Sequence, residues 1–470
     1  MQSAVRLRST TGRGVLAAAV LGSGMAQLDG TIVNVALRRI GAELDASLAQ
    51  LQWVSNAYLL ALASFILLGG SLGDRFGRRR VFLIGTAWFA IASAMCALAQ
   101  TPGQLIAARA LQGVGAALLT PGSLAMIQGT FRVADRARAI GAWSGLSGIA
   151  TALGPFVGGW LIQYASWRWA FLINLPLAAA TLLLGQRFVP ETRDEQAAHG
   201  FDVAGAAWCA LTLGSLTYLL IELTSLSGAA TGAIAIVAIV GAAAFLRTER
   251  RSPHPMMPTS LFGSRQFSAA NGMTLLVYAA LGAVLFFLVL QLQVVAGYTP
   301  LEAGVATLPI TIVMLLFAAR GGALATRIGP RLPMTLGPLV CAAGIALLAG
   351  IGADPSYWAD VFPGLTVFAF GLVLLVAPLT ATVLAAAADR HAGVASGVNN
   401  AVARAGSLLA VAALPTVVGL SGSEYADPAL LEPAYQQAIW ICVVLLVAGG
   451  GVSWALIRNP PRPASTDPVA

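Results

Sequence analysis

Asp29 and Arg109 are ionisable residues inside long apolar stretches of this 470-residue sequence. An Asp at the centre of a membrane helix costs roughly 2.5–3.5 kcal/mol on insertion scales, so its presence calls for a partner or a water-filled cavity. Burial favours the protonated form of a carboxyl group, whereas a nearby cation favours the ionised form. We therefore predict that Asp29 takes up and releases a proton, with a structural ion pair or a simple hydrogen-bonding role as the alternative.

Three further charged residues lie in or beside apolar stretches. Glu222 stands near the end of one stretch, so it is a third candidate for binding a proton or cation, with a hydrated residue at the outer rim as the alternative. Glu302 begins another stretch and is expected at the membrane interface. Arg404 either lines a cavity or pairs with a cytoplasmic loop, and the sequence leaves both alternatives open.

Amide and aromatic side chains within these stretches are candidates for contact with a small substrate. Gln112 follows Arg109 by one helical turn on the same face and extends the polar group around it. The other candidates are Asn34, Trp53, Asn56, Tyr278 and Gln291. For the aromatic and amide residues of the second and ninth stretches, packing or a position at the lipid interface is the alternative.

The composition of the chain predicts a membrane environment for all of these residues. Hydrophobic residues make up 58% of the sequence and charged residues 10%, whereas soluble domains carry about 25% charged residues. A helix that crosses the hydrocarbon core takes about 20 mostly apolar residues. We find fourteen such runs, near 14–37, 51–71, 81–99, 104–129, 139–163, 168–187, 203–224, 229–247, 268–296, 301–319, 332–352, 361–385, 394–420 and 436–457. Continuous apolar runs exclude a membrane β-barrel and predict an all-α integral membrane protein.

The placement of arginine predicts the orientation of these runs. All 27 basic residues are arginine, and membrane proteins concentrate such residues in cytoplasmic loops. With the N-terminus inside, only Arg38, Arg39 and Arg168 fall in outer loops, and Arg109 and Arg404 lie within runs. Both termini are therefore expected in the cytoplasm, including the tail 458–470, and the protein is expected in the plasma (inner) membrane.

Other functions lack the residues that they need. The three histidines lie in loops and the four cysteines are far apart, so we expect no metal site and no disulfide. Without lysine there is no Walker-type phosphate loop, so we expect that ATP does not supply energy within this chain. The positive charge is scattered along the chain, so nucleic acid is not an expected partner. We also expect no cofactor.

An internal repeat relates two loops of the chain. The loops Gly70–Arg80 and Gly322–Arg331 share Gly, Leu, Arg, Gly and Arg at an offset of 252 residues, with Asp74 replaced by Thr326. Two unrelated loops are the alternative, but repeated halves are typical of transporters. Because the offset covers eight runs, we predict two six-helix halves, 1–187 and 268–457. They are separated by the segment 188–267 with two inserted helices, near 203–224 and 229–247.

Four motifs resemble those of the major facilitator superfamily, in its fourteen-span drug:proton antiporter branch. They are Leu28–Leu37 in the first run, the loop Gly70–Arg80, Arg109–Ala117 in the fourth run and Gly154–Gly159 in the fifth run. The motifs follow one another in the order of that family. The resemblance implies the major facilitator fold with 14 transmembrane helices, and it implies that Arg109 takes part in proton transfer.

The resemblance also implies roles for two groups of residues. The first group is expected to form a gating loop, although its arginines also hold the loop in the cytoplasm, and it consists of Gly70, Gly73, Asp74, Arg75, Gly77, Arg78 and Arg79. The second group is expected to seal one access path through close helix packing, and it consists of Gly154, Pro155, Gly158 and Gly159. Ordinary packing of a glycine-rich helix is the alternative for the second group.

Residues and resemblance together predict a proton-coupled antiporter that exports lipophilic drugs or secondary metabolites from the cytoplasm by alternating access. Its expected partners are the lipid bilayer, protons and a small lipophilic substrate, and a monomer is expected. A proton-coupled transporter of a single small metabolite is the alternative. A polytopic membrane enzyme would need a nucleophile–base or metal cluster, which the dispersed acids and histidines do not form, so enzymatic activity is not expected.

Overall fold

The computed structural model describes residues 5–193, 202–387 and 392–459 of the chain. Within these ranges fourteen helices are long and apolar enough to cross a membrane, which confirms the predicted number. They are α1 (Thr10–Leu44), α2 (Leu48–Phe76), α3 (Arg78–Leu98), α4 (Pro102–Thr130), α5 (Val133–Tyr164), α6 (Trp169–Phe188), α7 (Val203–Ile221), α8 (Gly228–Arg251), α9 (Arg265–Val294), α10 (Pro300–Ile328), α11 (Arg331–Leu348), α12 (Tyr357–Ala385), α13 (Gly393–Val417) and α14 (Pro428–Leu456). His199, His391 and residues 460–470 of the predicted tail lie outside the described residues.

Side chains that bond to free backbone N–H groups set where several helices begin. Ser47 precedes α2 and Thr299 precedes α10, and each forms a reciprocal capping box with the residue three positions later, Gln50 or Glu302. The backbone N–H of Thr299 donates to Glu302 Oε2 at 2.8 Å. Glu302 therefore stabilises the start of α10.

Helix α1 is longer than its apolar run, which ends near residue 37. The helix continues to Leu44. Arg39 pairs with Glu43 one turn later at 2.6 Å, and Arg38 Nη1 donates to the carbonyl oxygen of Gln293 at 2.5 Å. The length of an apolar run matches the thickness of the hydrocarbon core of a membrane. A helix can be longer than that run, because its backbone hydrogen bonds do not depend on apolar side chains.

Helices α1–α6 and α9–α14 pack in the same pattern, which confirms two related six-helix halves. Helix α1 packs against α5 and α6, as α9 packs against α13 and α14. Helix α4 packs against α2 and α3, as α12 packs against α10 and α11. The halves meet where α2 contacts α13 and where α5 contacts α10, and the internal repeat relates these two contacts. The inserted helix α7 packs beside α2 and α13, and α8 packs on α7.

Hydrogen bonds join the two halves at the end of the bundle where α1 ends and α2 begins. Gln52 Nε2 donates to the carbonyl oxygen of Val411 in α13 at 2.7 Å. Gln293 Nε2 of α9 donates to the carbonyl oxygen of Val35 in α1 at 3.1 Å. We call these contacts the outer seam. They hold the halves together at the end opposite the N-terminus of α1.

Candidate functional site

Asp29 and Arg109 form an ion pair inside the N-terminal half. Asp29 lies in the middle of α1 and Arg109 lies two turns into α4, and both are almost fully buried. Arg109 Nη1 and Asp29 Oδ2 are 2.5 Å apart. The structure thus brings together two of the three residues that sequence analysis assigns to proton coupling.

Two amide side chains complete the surroundings of Asp29. Gln112 Nε2 and Asn174 Nδ2 each donate to Asp29 Oδ1 at 2.8 Å. Both amides also donate to Ser93 Oγ, at 3.1 and 2.9 Å respectively. With Arg109, three donors bond to the two oxygens of Asp29, and an ionised carboxylate accepts such a set. We call these five residues from α1, α3, α4 and α6 the Asp29 cluster.

Arg109 also connects this cluster to α2. Its Nε donates to the carbonyl oxygen of Val54 at 3.1 Å, and its Nη1 donates to Gln112 Oε1 at 2.6 Å. The guanidinium lies over the ring of Tyr58, 4.4 Å from the ring centroid. The Tyr58 hydroxyl in turn donates to the carbonyl oxygen of Ala26 in α1 at 3.0 Å. Several directed donors on one planar group therefore hold α1, α2 and α4 in one arrangement.

Sequence reasoning missed Ser93 and Asn174. Asn174 carried a usable signal, because it is an amide in an apolar run, at the start of the second helical segment of α6. Ser93 carried little signal, since small hydroxyl residues are common where membrane helices pack closely. Only the packing of α3 against α4 and α6 brings Ser93 to both amides.

We expect Asn174→Ala to lower the free energy of unfolding by about 1–3 kcal/mol, because it leaves a buried carboxylate oxygen with one donor fewer. The measurement is the thermal unfolding midpoint of the purified protein in detergent. Asn34→Ala is the matched control, since Asn34 is a partly buried amide of α1 outside the Asp29 cluster. Equal midpoints for the two variants contradict the prediction.

Glu222, the third proton-coupling candidate, is not brought to the Asp29 cluster. It follows the last residue of α7 and is partly exposed. Ser225 Oγ donates to Glu222 Oε2 at 2.9 Å, so its nearest polar partner belongs to the adjoining turn. Glu222 therefore lies at the end of its helix, at the rim of the bundle.

The substrate candidates are distributed over α1, α2, α4 and α9. Trp53 packs against Tyr218 of α7, with ring centroids 6.3 Å apart. Asn56 is fully buried and neither atom of its amide group has a partner, whereas buried Gln291 donates to the carbonyl oxygen of Ile351 at 2.7 Å. The remaining three are Asn34 and Tyr278, which are partly buried, and Gln112, which belongs to the Asp29 cluster.

The predicted gating loop forms a tight turn between α2 and α3. Asp74 Oδ1 accepts a hydrogen bond from Arg78 Nε at 2.8 Å, within the loop itself. Gly77 has φ of +108°, a backbone conformation that favours glycine, and a Cβ there would lie 2.6 Å from the Glu191 carboxyl group, which would have to shift. Glu191 accepts from the backbone N–H groups of Arg79 and Arg80, at 3.0 and 3.2 Å.

The repeated loop between α10 and α11 is held in a related way. Gly329 has φ of +85°, and a Cβ on it would overlap the side chain of Asn459. The backbone N–H of Arg331 donates to Asn459 Oδ1 at 3.0 Å. Glu191 follows α6 and Asn459 follows α14, so the residue that bonds to each turn comes after the last helix of its half. Sequence comparison of the loops alone did not find either residue.

The glycines of α5 permit close contact on two sides. A Cβ on Gly158 would overlap Ile32 of α1, and a Cβ on Gly159 would overlap the carbonyl oxygen of Pro300 in α10. From the α10 side, a Cβ on Gly304 would overlap the carbonyl oxygen of Pro155. Gly154 faces Thr31 of α1 in the same manner. Helix α5 is therefore in backbone contact with α10 of the other half, at the same end of the bundle as the outer seam.

We expect Gly159→Ala to destabilise the contact between α5 and α10 by about 1–3 kcal/mol, because the added methyl group meets backbone that must move away. Labelling of a single cysteine at position 301, in a background without the four native cysteines, should then become faster with a water-soluble maleimide. Gly148→Ala on the same helix is the control, since its Cβ has nothing within 4 Å. Equal labelling rates in both variants would show that the seam tolerates the methyl group.

In the part of the chain that the structure describes, two repeated halves of six apolar helices, two inserted helices, a seam between the halves and a buried ion pair within one of them define a membrane transporter. More particularly, the chain belongs to the major facilitator superfamily, whose family model matches residues 19–411. The xylose transporter XylE from E. coli, in its inward-open conformation, has the same fold. Its TM-score is 0.65 at 14% identity, with 95% of this chain and 96% of that chain covered.

Several relatives of this chain are named as resistance or export proteins. The tetracenomycin C resistance and export protein of Streptomyces glaucescens is 35% identical over 407 residues, which cover 85% of this chain and 74% of the relative. The methylenomycin A resistance protein of Bacillus subtilis (strain 168) is 34% identical over 455 residues, which cover 95% of this chain and 97% of the relative. These similarities confirm the predicted drug-efflux type of transporter and confirm that the chain is not an enzyme.

Proposed function

We propose that this chain is a proton-coupled antiporter that exports small lipophilic compounds from the cytoplasm. The observation that carries the proposal is the buried ion pair of Asp29 and Arg109. While Asp29 is ionised, its carboxylate is the counter-charge of Arg109. When Asp29 takes up a proton, Arg109 loses that counter-charge. A single proton therefore changes the bonding between α1 and α4.

Proton uptake at Asp29 weakens the attachment of α1 to Arg109, while Arg109 stays attached to α2 and α4. Arg109 retains Gln112 Oε1, the carbonyl oxygen of Val54 and the ring of Tyr58 as partners. Helices α1 and α2 both bond to the other half at the outer seam. A change in how α1 sits against α2 and α4 therefore alters the seam, and the protonation state biases the balance between inward-open and outward-open states.

The relatives support lipophilic drugs or secondary metabolites as the substrate class, because their names describe resistance to tetracenomycin C and methylenomycin A. Among the substrate candidates, Asn56, Gln112 and Gln291 are fully buried. In this proposal they contact a substrate in another state of the transport cycle, whereas Asn34, Trp53 and Tyr278 are partly exposed already. The unpartnered amide of Asn56 is free to bond to a substrate.

The proposed cycle uses the predicted gating loop at the cytoplasmic end and the glycine surface of α5 at the outer end. Asp74 and Arg78 hold the loop in one conformation. The backbone contact of Gly159 with Pro300 closes the outer end against proton leakage. Glu222 remains a candidate for delivering protons at the outer rim, where it is partly exposed.

In the proposed topology the protein is a monomer in the plasma membrane. Both of its termini lie in the cytoplasm. The chain divides into the halves 1–187 and 268–457, the segment 188–267 with the inserted helices, and the tail 458–470. Helix α7 packs on the outside of the contact between α2 and α13, and α8 packs on α7. This arrangement supports a pathway lined by the two halves, with the inserted helices toward lipid.

Transport in proteoliposomes tests the proposal. Purified protein is reconstituted, a pH gradient is imposed, and the movement of a panel of fluorescent lipophilic compounds, cationic, anionic and neutral, is followed. We expect several compounds to move in the direction opposite to the flow of protons down their gradient. This movement should stop when a protonophore collapses the gradient. Movement that does not depend on the gradient contradicts proton coupling, and movement of one compound alone favours the single-metabolite alternative.

A further inference from the structure

Arg404 is a cation at the centre of α13 (Gly393–Val417). The proposed proton coupling through Asp29 and Arg109 does not involve it. Its side chain is partly exposed. Among the residues that the structure describes, no carboxylate lies within 4.0 Å of it, whereas Arg109 has the Asp29 carboxylate. A charged side chain at this depth in a membrane protein typically faces a water-filled cavity and marks a substrate or ion pathway.

The surroundings of Arg404 place it between the two halves. Helix α13 packs against α2 of the N-terminal half and against α9 of the C-terminal half. One turn before Arg404, Ala401 packs against the apolar core of the N-terminal half. One turn after Arg404, Ser407 Oγ donates to the carbonyl oxygen of Tyr278 in α9 at 2.9 Å, so Arg404 lies on the stretch of α13 that contacts both halves. In transporters built from repeats, substrates bind at this interface near the membrane midplane.

A polar stripe on α13 leads from the cytoplasmic end of the helix to Arg404. Ser396, Asn400 and Arg404 follow one another at intervals of one turn, so they share a face of the helix. Asn400 is exposed and donates to the carbonyl oxygen of Ser396 at 3.0 Å. The stripe offers a polar ligand a row of hydrogen-bonding groups that ends at the guanidinium.

The charge balance of this region favours an anionic ligand. The Asp29–Arg109 pair is neutral as a unit, so it does not offset the charge of Arg404. A planar guanidinium offers paired N–H donors that match the two oxygens of a carboxylate. A cationic ligand would be repelled at the same place, and a neutral one would leave the cation without a counter-charge.

We propose that Arg404 binds the anionic group of the transported compound, so that this transporter prefers lipophilic weak acids that carry a carboxylate or phenolate. The proposal rests on the proposed export function and names the substrate class for a binding site between the two halves. The apolar part of such a ligand packs among the apolar residues between the halves, while the acidic group reaches Arg404.

Binding of a matched pair of probes tests this proposal. The probes are 1-pyrenebutyrate and its methyl ester, which share the same apolar body and differ in charge. Affinity is measured by quenching of tryptophan fluorescence, with purified protein in detergent at pH 8, where a carboxylic acid of pKa about 4–5 is ionised. We expect the wild type to bind the acid at least tenfold more tightly than the ester.

Variants at position 404 separate the anion site from a structural role. We expect Arg404→Gln to abolish the preference for the acid while the affinity for the ester changes less than twofold. Arg404→Lys keeps the charge and should retain part of the preference. Arg250→Gln removes an exposed arginine from the end of α8 and is the control for the loss of one positive charge, with the preference unchanged.

Two results would overturn the proposal: an Arg404→Gln variant that still prefers the acid, or a wild type that binds the ester as tightly as the acid. Neither result touches proton-coupled export, which the gradient experiment decides by itself. Conversely, an acid preference that depends on Arg404 in a protein without gradient-driven transport supports the anion site and contradicts the proposed function.

Discussion

Asp29→Asn is expected to reduce pH-gradient-driven export at least tenfold. Asn does not titrate in the physiological range, so the variant has no proton to exchange at this position. The substitution also leaves Arg109 as a buried cation without its counter-charge, and breaking a buried pair typically costs about 3–5 kcal/mol. We therefore expect a lower unfolding midpoint as well, in a protein that still inserts into the membrane because its apolar runs are unchanged.

The measurement is gradient-driven export in proteoliposomes, normalised to the amount of folded protein. Asp427→Asn is the matched control, since Asp427 caps the start of α14 and Asn caps helices equally well. That control should export as the wild type does. Full proton-coupled export by the Asp29→Asn variant would remove Asp29 from the coupling mechanism.

Arg109→Lys is expected to lower proton-coupled export at least tenfold although it retains the positive charge. Arg109 bonds at once to Asp29, Gln112 and the carbonyl oxygen of Val54, in three directions fixed by the planar guanidinium. An ammonium group on a flexible stem does not reproduce this set together with the contact to the Tyr58 ring. We expect the connection of α4 to α2 to loosen, so that protonation of Asp29 no longer controls the seam.

The same transport assay measures this variant, with Arg39→Lys as the control. Arg39 forms an exposed pair with Glu43 one turn away, and such pairs contribute about 0.3–0.5 kcal/mol, so the control should behave as the wild type. Wild-type coupling in Arg109→Lys would mean that a positive charge alone suffices at this position.

The sequence predicts the number of helices and the two halves well because both depend on long-range averages. A wrong interpretation of one residue changes neither the number of apolar runs, which is fourteen, nor the repeat of Gly70–Arg80 at Gly322–Arg331. The ends of helices are less predictable. Helix α1 runs past residue 37, where Arg38 bonds to Gln293 and Arg39 pairs with Glu43, contacts that the apolar run does not indicate.

The candidate site is predictable only in part, for a physical reason. Asp29 and Arg109 stand out because an isolated charge in a membrane helix is costly and calls for a partner. Ser93 and Asn174 are neutral, so their presence in apolar runs costs little and signals little. Their role depends on the packing of α3 and α6 against α4 and α1, which a single sequence does not specify.

The bonds from Glu191 and Asn459 to the turns between α2 and α3 and between α10 and α11 also constrain the order of events during synthesis. Arg79 is made 112 residues before Glu191, and Arg331 is made 128 residues before Asn459. Each turn therefore waits, without its final partner, until the ribosome has completed the sixth helix of the same half. A chain that stops after α6 but before Glu191 would carry every helix of the N-terminal half and still leave the turn at Gly77 without that partner.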